Sequence, residues 1–158
     1  MRLQKGEEEH ARSKIPPPLI YLAGLIISYL LSFIYHVALL PRLLSLVLGV
    51  VLFICGFALS ASGASAFRVN NTSLNTTIPV TKIVSSGPFR MSRNPMYLGL
   101  AIIYLGIAFL INDLLVLLFL VPVLVIMNWY IIPREERYLE AKFGEEYLSY
   151  KHNVRRWL

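Results

Sequence analysis

The sequence has few residues that could form a disulfide or bind a metal ion. Its only cysteine is Cys55, which excludes an internal disulfide, and its three histidines are scattered along the chain. A metal site therefore has little support, because such sites bring several ligands together. Cys55 lies within an apolar run, which favours a small buried hydrophobic residue. The chain also lacks the Gly-x-Gly-x-x-Gly fingerprint of a strand-to-helix nucleotide-binding unit.

Acidic residues are scarce as well: nine Asp and Glu against fifteen Lys and Arg give a net charge of +6. Apolar residues make up 56% of the chain and the mean hydropathy is +0.62, far above that of a soluble domain. Several apolar runs approach the length that crosses about 30 Å of hydrocarbon. The sequence therefore predicts an integral membrane protein with one domain, residues 1–158.

Four apolar segments are predicted to be transmembrane helices, which makes the fold all-α. The segments are residues 19–40, 43–67, 97–111 and 114–132. A charged cytoplasmic leader, residues 1–15, precedes the first segment. We interpret that first apolar segment as a retained anchor rather than a signal peptide. Only Asn112 and Asp113 separate the last two segments, so these are expected to form a tight antiparallel hairpin.

Small residues recur on one face of the second segment. Gly49, Gly56 and Gly63 are spaced seven residues apart and therefore lie along one side of a helix. Such a stripe favours close contact with a neighbouring helix. Packing is the simpler interpretation, and we assign no ligand to these glycines.

Basic residues are distributed unevenly around the four segments. Four precede the first segment, four lie between the second and third, six follow the fourth, and only Arg42 lies elsewhere. Because cytoplasmic loops carry an excess of Lys and Arg, both termini are predicted to be cytoplasmic in a multi-pass protein of the cell or inner membrane. The lipid bilayer, with its anionic headgroups, then explains the basicity, and nucleic acid is not required as a partner.

The polar loop at residues 68–96 contains two turn-forming pairs. Gly87-Pro88 and Asn94-Pro95 both favour turns, because glycine accepts positive φ while proline fixes φ and disfavours helix in the preceding residue. We expect a compact structure at the mouth of the helices rather than a flexible linker. In a membrane protein, this position favours a binding role for the loop.

Residues 133–151 are predicted to form a cytoplasmic C-terminal helix that begins at Pro133. Leu139, Phe143 and Tyr147 recur every four residues and indicate an apolar stripe on this helix. The same step of four leads back to Glu135, which is therefore assigned to the buried face.

A carboxylate at that position needs a partner, since burying it alone is costly. Arg93 and Arg134 are the candidate partners if the role of Glu135 is purely structural. Glu136 and Glu140 are assigned to the outer, polar face of the helix.

Several short motifs follow one another in a characteristic order. They are Gly87-Pro88-Phe89, Arg93-Asn94-Pro95-Met96-Tyr97-Leu98-Gly99, the helical hairpin, Glu135-Glu136, and Phe143-Gly144-Glu145-Glu146-Tyr147-Leu148-Ser149-Tyr150. This ordered set resembles the isoprenylcysteine carboxyl methyltransferase family and its relatives among membrane phospholipid methyltransferases. The resemblance covers about half of the chain, from Thr81 to Arg156. Asn94 occupies the position of the family's histidine, and Ile131 that of a substrate-binding arginine in the eukaryotic enzymes.

The resemblance implies S-adenosyl-L-methionine as the cofactor and a lipophilic or amphipathic small molecule as the substrate. It also implies a set of cofactor-binding residues: Thr81, Lys82, Ile83, Val84, Phe89, Asn94, Pro95, Met96, Tyr97 and Glu135. Asn94 and Arg93 take the catalytic positions. Asn94 is able to donate or accept a hydrogen bond but does not titrate near neutral pH.

Two other functions stay open. A membrane reductase of the related sterol-reductase group would share the helical hairpin but use NADPH, and a non-catalytic scaffold would fit the loss of the histidine at Asn94. Asn128 lies about two helical turns before Glu135 and is a candidate for substrate binding, although joining helices by hydrogen bonds is the simpler role for it.

Overall fold

A computed structural model describes residues 16–70 and 82–158 of the chain, so the leader and Thr81 lie outside the described residues. All regular structure in these two ranges is helical, which confirms the all-α prediction for them. The helices are α1 (Pro17–Ser32), α2 (Arg42–Val69), α3 (Pro95–Ile111), α4 (Leu114–Leu118), α5 (Leu120–Ile126), α6 (Ile132–Phe143) and α7 (Glu145–Asn153). A 3-10 turn, Gly87–Arg90, precedes α3, and a π turn, Met127–Ile131, joins α5 to α6.

Glycines allow α2 and α3 to pack backbone against backbone. Gly49, Gly56 and Gly63 are the buried glycines of α2, which confirms the predicted stripe. A Cβ atom on Gly56 would lie 2.7 Å from the carbonyl oxygen of Gly99 and 2.7 Å from the amide nitrogen of Ile103. No side chain fits into that space, so the two helices approach as closely as their backbones permit.

The core lies between α1, α3 and the last helices. Tyr104 of α3 and Met127 and Ile131 of the π turn are fully buried there. The face of α1 that packs on them contains Tyr21, Gly24 and Ser28, and the Ser28 and Tyr104 hydroxyl oxygens are 3.2 Å apart. These small and polar residues allow close contact and satisfy one another inside the bundle.

The first helix is shorter than predicted, because α1 ends at Ser32 and not near residue 40. The chain then crosses the loop of the hairpin in an irregular conformation. Asn112, with φ 63°, accepts hydrogen bonds from the amides of Leu39 and Leu40 at 3.1 and 3.2 Å. Pro41 disfavours helix in the residue before it, and these long-range bonds then satisfy the released backbone groups.

Asp113 stabilises the hairpin turn from inside. Its side chain is fully buried, and its Oδ1 caps α4 by accepting from the amides of Leu115 and Val116 at 2.8 and 3.1 Å. The ring of His36 lies 2.7 Å from its other oxygen. The predicted tight turn at Asn112 and Asp113 therefore forms hydrogen bonds with three segments: the chain that follows α1, the end of α3 and the start of α4.

Helix α6 begins at Ile132 with Pro133 in its first turn, within one residue of the predicted start. It directly follows the apolar helical stretch that begins at Leu114 and leads into the C-terminal tail, residues 133–158. That stretch is interrupted at Phe119, three residues before Pro122, and at the π turn just before Pro133. Proline lacks an amide hydrogen and clashes with the carbonyl four residues earlier, which explains both interruptions. The tail also breaks at Gly144, where φ is 55°, so residues 133–151 are not a single helix.

Two helical stretches of the described chain are long and apolar enough to cross a membrane: Arg42–Val69 and Leu114–Phe143. Helices α1 and α3 are apolar but shorter. The four-span topology and the cytoplasmic side of the termini stay predictions. Cys55 is exposed on α2 and not buried as predicted, because an apolar side chain needs no burial where a helix surface faces lipid.

Candidate active site

Tyr97 and Glu135 meet where α3 begins and α6 leaves the apolar core. The hydroxyl of Tyr97 donates to the two carboxylate oxygens of Glu135 at 2.8 and 2.9 Å. Tyr21 of α1 donates to the carbonyl oxygen of Tyr97 at 3.1 Å. Tyr97 lies in the first turn of α3 because Pro95 starts that helix. The structure thus brings together two residues that the sequence predicts to bind a cofactor.

Glu136 is buried and not on the outer face as predicted. Its carboxylate accepts hydrogen bonds from two guanidinium groups, and the shortest are 2.7 Å from Arg93 and 2.6 Å from Arg156. Its side chain is only 7% exposed. Charge-assisted bonds of this kind permit a buried carboxylate. The predicted stripe is partly confirmed, since Tyr147 is buried and Leu139 and Phe143 are half-buried. The fully buried face of α6, however, includes Ile132 and Glu136, which the stripe did not contain.

Arg93 connects the loop before α3 to the C-terminal tail. Its Nε and Nη2 donate to Glu136, and its Nη1 donates to the carbonyl oxygens of Lys151 and Val154 at 2.9 and 2.7 Å. Its backbone amide donates to the carbonyl of Arg155 at 2.9 Å. Four of the five donors of the guanidinium group are therefore used within the protein. This arrangement positions the tail, and the catalytic role that the family resemblance implies for Arg93 stays a prediction.

Asn94, the other predicted catalytic residue, also contacts the tail. Its Nδ2 donates to the carbonyl oxygen of Arg156 at 3.1 Å, and the hydroxyl of Ser92 donates to the same oxygen at 3.3 Å. Asn94 precedes the first residue of α3, with φ −129°. Its side chain thus holds the tail against the start of the helix that carries Tyr97.

Other predicted cofactor residues pack toward α2. Phe89 is buried with its ring edge-to-face against Phe67, 5.4 Å between ring centroids. Met96 lies against Gly63, and Pro95 is fully buried. Phe89 and Met96 thus contact α2.

The described part of the predicted cofactor segment has no regular structure. Lys82 is exposed, Ile83 is half-buried and Val84 is buried. Downstream, the hydroxyl of Tyr150 donates to the carbonyl oxygen of Phe89 at 2.8 Å. Burial raises the pKa of Tyr150 to about 12, so the phenol remains a donor at neutral pH. The predicted compact turn at Gly87–Arg90 is present and is tied to α7.

Asn128 lies in the π turn and contacts the tail. Its Oδ1 accepts hydrogen bonds from Nη1 of Arg156 at 3.3 Å and from the indole nitrogen of Trp157 at 3.1 Å. Sequence reasoning missed Tyr21, Glu136, Arg156 and Trp157. The helical spacing of Tyr21, Gly24 and Ser28 could have indicated a buried face of α1. No local pattern in the sequence indicates where Arg156 and Trp157 lie.

Comparison with known proteins gives a family match that covers most of these motifs. A family model described as phospholipid methyltransferase matches residues 44–146. The chain belongs to this family. That match confirms the resemblance seen in the sequence and makes the protein a member of a family of membrane methyltransferases. Tyr97 and Glu135 lie within the matched range, whereas Tyr21, Arg156 and Trp157 lie outside it.

One relative of this phospholipid methyltransferase family member is an uncharacterized protein from Haemophilus influenzae. The two are 44% identical over 63 residues, which make up 40% of this chain and the whole of the relative. No solved structure matches the chain.

Proposed function

We propose that the protein is an S-adenosylmethionine-dependent membrane methyltransferase that acts on a lipophilic or amphipathic acceptor. The family match supports methyl transfer, and the observation that carries the proposal is the Tyr97–Glu135 pair. It lies at the point where two apolar helices meet the charged tail. A site there is within reach of a water-soluble cofactor and of a molecule dissolved in lipid.

The residues present fit the cofactor. S-adenosylmethionine carries a sulfonium, an ammonium and a carboxylate, and it supplies an electrophilic methyl group. Glu135 offers a carboxylate for the ammonium, and Tyr97 orients that carboxylate by bonding to both of its oxygens. An aromatic ring near a sulfonium contributes roughly 0.5–2 kcal/mol. Tyr97 and Glu135 are therefore proposed to bind the cofactor.

The protein is proposed to act mainly by alignment. Methyl transfer is an in-line displacement, and correct placement of the reacting groups is worth up to about 7–11 kcal/mol. The bonds from Tyr21 to the backbone of Tyr97 and from Asn94 and Arg93 to the tail hold the site in one geometry. Asn94 does not titrate near neutrality, so its proposed role is hydrogen bonding and not proton transfer.

Calorimetry on the purified protein tests the cofactor. Tight binding of S-adenosylhomocysteine, with no binding of NADPH, is the expected result; NADPH binding alone would instead indicate a reductase, and no binding of either a scaffold. Glu135→Gln and Tyr97→Phe are expected to weaken binding of S-adenosylhomocysteine by about tenfold, the loss of one hydrogen bond to a charged group. Glu146→Gln is the control, because Glu146 is exposed on α7.

Radiolabelled methyl donor tests the reaction itself. Membranes that contain the protein are expected to transfer label to a lipid-extractable product, and Glu135→Gln is expected to reduce this transfer. Wild-type affinity for S-adenosylhomocysteine in both site variants would show that the cofactor lies elsewhere.

A further inference from the structure

The side-chain amide of Asn128 has a fixed orientation. An arginine Nη and an indole nitrogen are obligate donors, so the Asn128 atom that both of them contact has to be the oxygen. The backbone carbonyl of Asn128 accepts from the same Nη1 at 3.3 Å. Arg156 and Trp157 therefore leave only the Nδ2 group of Asn128 available to a ligand.

That Nδ2 group is not fully buried. Within residues 16–70 and 82–158 it makes no hydrogen bond, and no buried side-chain nitrogen or oxygen lacks a partner there. An unpaired Nδ2 must then retain some exposure. Asn128 is half-buried, at the last turn before the apolar helix gives way to the charged residues from Arg134 onward. Such π turns occur frequently at functional sites.

The ion cluster in direct contact with Asn128 favours an anion. Two guanidinium groups, those of Arg93 and Arg156, face the single carboxylate of Glu136, which leaves one net positive charge on this cluster. Arg156 also bonds directly to Asn128. An amide donor beside a net positive cluster attracts an oxygen acceptor with negative charge and disfavours an ammonium group.

We infer that Asn128 is a substrate-binding residue whose Nδ2 donates to an anionic oxygen, a carboxylate or a phosphate, on the headgroup of the lipophilic acceptor. Arg156 and Trp157 are its positioning residues. This inference rests on the proposed function, because it names the chemistry of the acceptor at that site. It assigns a task to two tail residues that lie outside the range matched by the family.

Trp157 provides the readout, since it bonds to Asn128 directly. The other tryptophan, Trp129, is 70% exposed, so Trp129→Phe isolates the signal of Trp157. Protein in phosphatidylcholine nanodiscs with saturating S-adenosylhomocysteine would be titrated with dodecanoate, dodecyl phosphate and dodecylamine. We expect a saturable change in emission with at least one of the two anionic probes and none with dodecylamine. Which anionic probe binds more tightly identifies the headgroup.

Asn128→Asp is the decisive variant, because it keeps an oxygen toward Arg156 and Trp157 but removes the Nδ2 donor. We expect unchanged emission of Trp157 without probe, unchanged affinity for S-adenosylhomocysteine and at least tenfold weaker binding of the anionic probe. Arg134→Gln is the matched control, because it also makes the net charge of the protein more negative by one. Arg134 stacks on Tyr130 and is not part of this cluster. This control is expected to change binding less than twofold.

Three results would overturn the inference: no response to either anionic probe, an equal response to dodecylamine, or equal probe binding by Asn128→Asp and wild type. The cofactor proposal fails in a different way. A protein that does not bind S-adenosylhomocysteine but still selects an anionic probe through Asn128 would refute methyl transfer and leave the headgroup assignment standing.

Discussion

Replacing Glu136 by glutamine is expected to release the end of the chain, around Arg156, from α6 and from the loop before α3. The Glu136 carboxylate accepts hydrogen bonds from Nε and Nη2 of both Arg93 and Arg156. Glutamine keeps one acceptor oxygen but removes the negative charge. Two guanidinium groups would then lie side by side with no charge between them to compensate.

The size of the effect follows from burial. Removing one partner of a buried ion pair costs about 3–5 kcal/mol. The side chains of Glu136 and Arg93 are 7% and 9% exposed, but that of Arg156 is 30% exposed and water partly screens it. We therefore expect the lower value, about 3 kcal/mol. At about 1.4 kcal/mol per factor of ten, the population with a released tail would rise roughly 100-fold.

Trypsin measures this population through cleavage after Arg156, because the guanidinium group of Arg156 is held by Glu136 and Asn128 until the tail is released. Cleavage slower than reclosing tracks the released fraction. Glu136→Gln is expected to accelerate cleavage, whereas the exposed Glu146→Gln control should leave the rate unchanged. Glu135→Gln should also leave it near wild type, since Glu135 bonds to Tyr97. Equal rates for Glu136→Gln and wild type would refute the assignment of Glu136 to the tail.

Two further changes test the scaffold around the site. Gly56→Ala is expected to lower the free energy of unfolding by about 1–3 kcal/mol, because the new Cβ would lie 2.7 Å from the α3 backbone. Thermal unfolding in nanodiscs measures this loss. Ala58→Leu is the control, because Ala58 is exposed, and it is expected to cause no such loss. Tyr21→Phe removes the bond to the carbonyl of Tyr97, worth about 0.5–1.5 kcal/mol, so calorimetry is expected to show roughly 2- to 12-fold weaker binding of S-adenosylhomocysteine. An unchanged affinity would mean that α1 does not support the site.

Apolar runs, glycine spacing and turn residues were sufficient to predict much of this fold. These signals are local, since a helix forms wherever its side chains tolerate lipid or the core. The glycines of α2 predicted close packing, and the loop around Asn112 predicted the hairpin. The juxtaposition of Tyr97 and Glu135 followed from the ordered motifs of the family resemblance.

Non-local pairing explains what the sequence did not reveal. Glu136 is buried only because Arg93 and Arg156, distant in sequence, both reach it. The end of α1 depends on contacts with Asn112, and the register of the tail depends on breaks at the π turn and Gly144. The periodicity of a sequence does not indicate which distant residues form such contacts.

For the proposed lipophilic acceptor, the glycine contact between α2 and α3 closes one route to Tyr97 and Glu135. Where Gly56 contacts the backbone of Gly99, the space between the two helices is too narrow for an acyl chain. We therefore expect the proposed acceptor to approach from the flank formed by α1 and the final helix. Substitutions that widen or narrow that flank are then expected to change the acyl-chain preference of the proposed reaction.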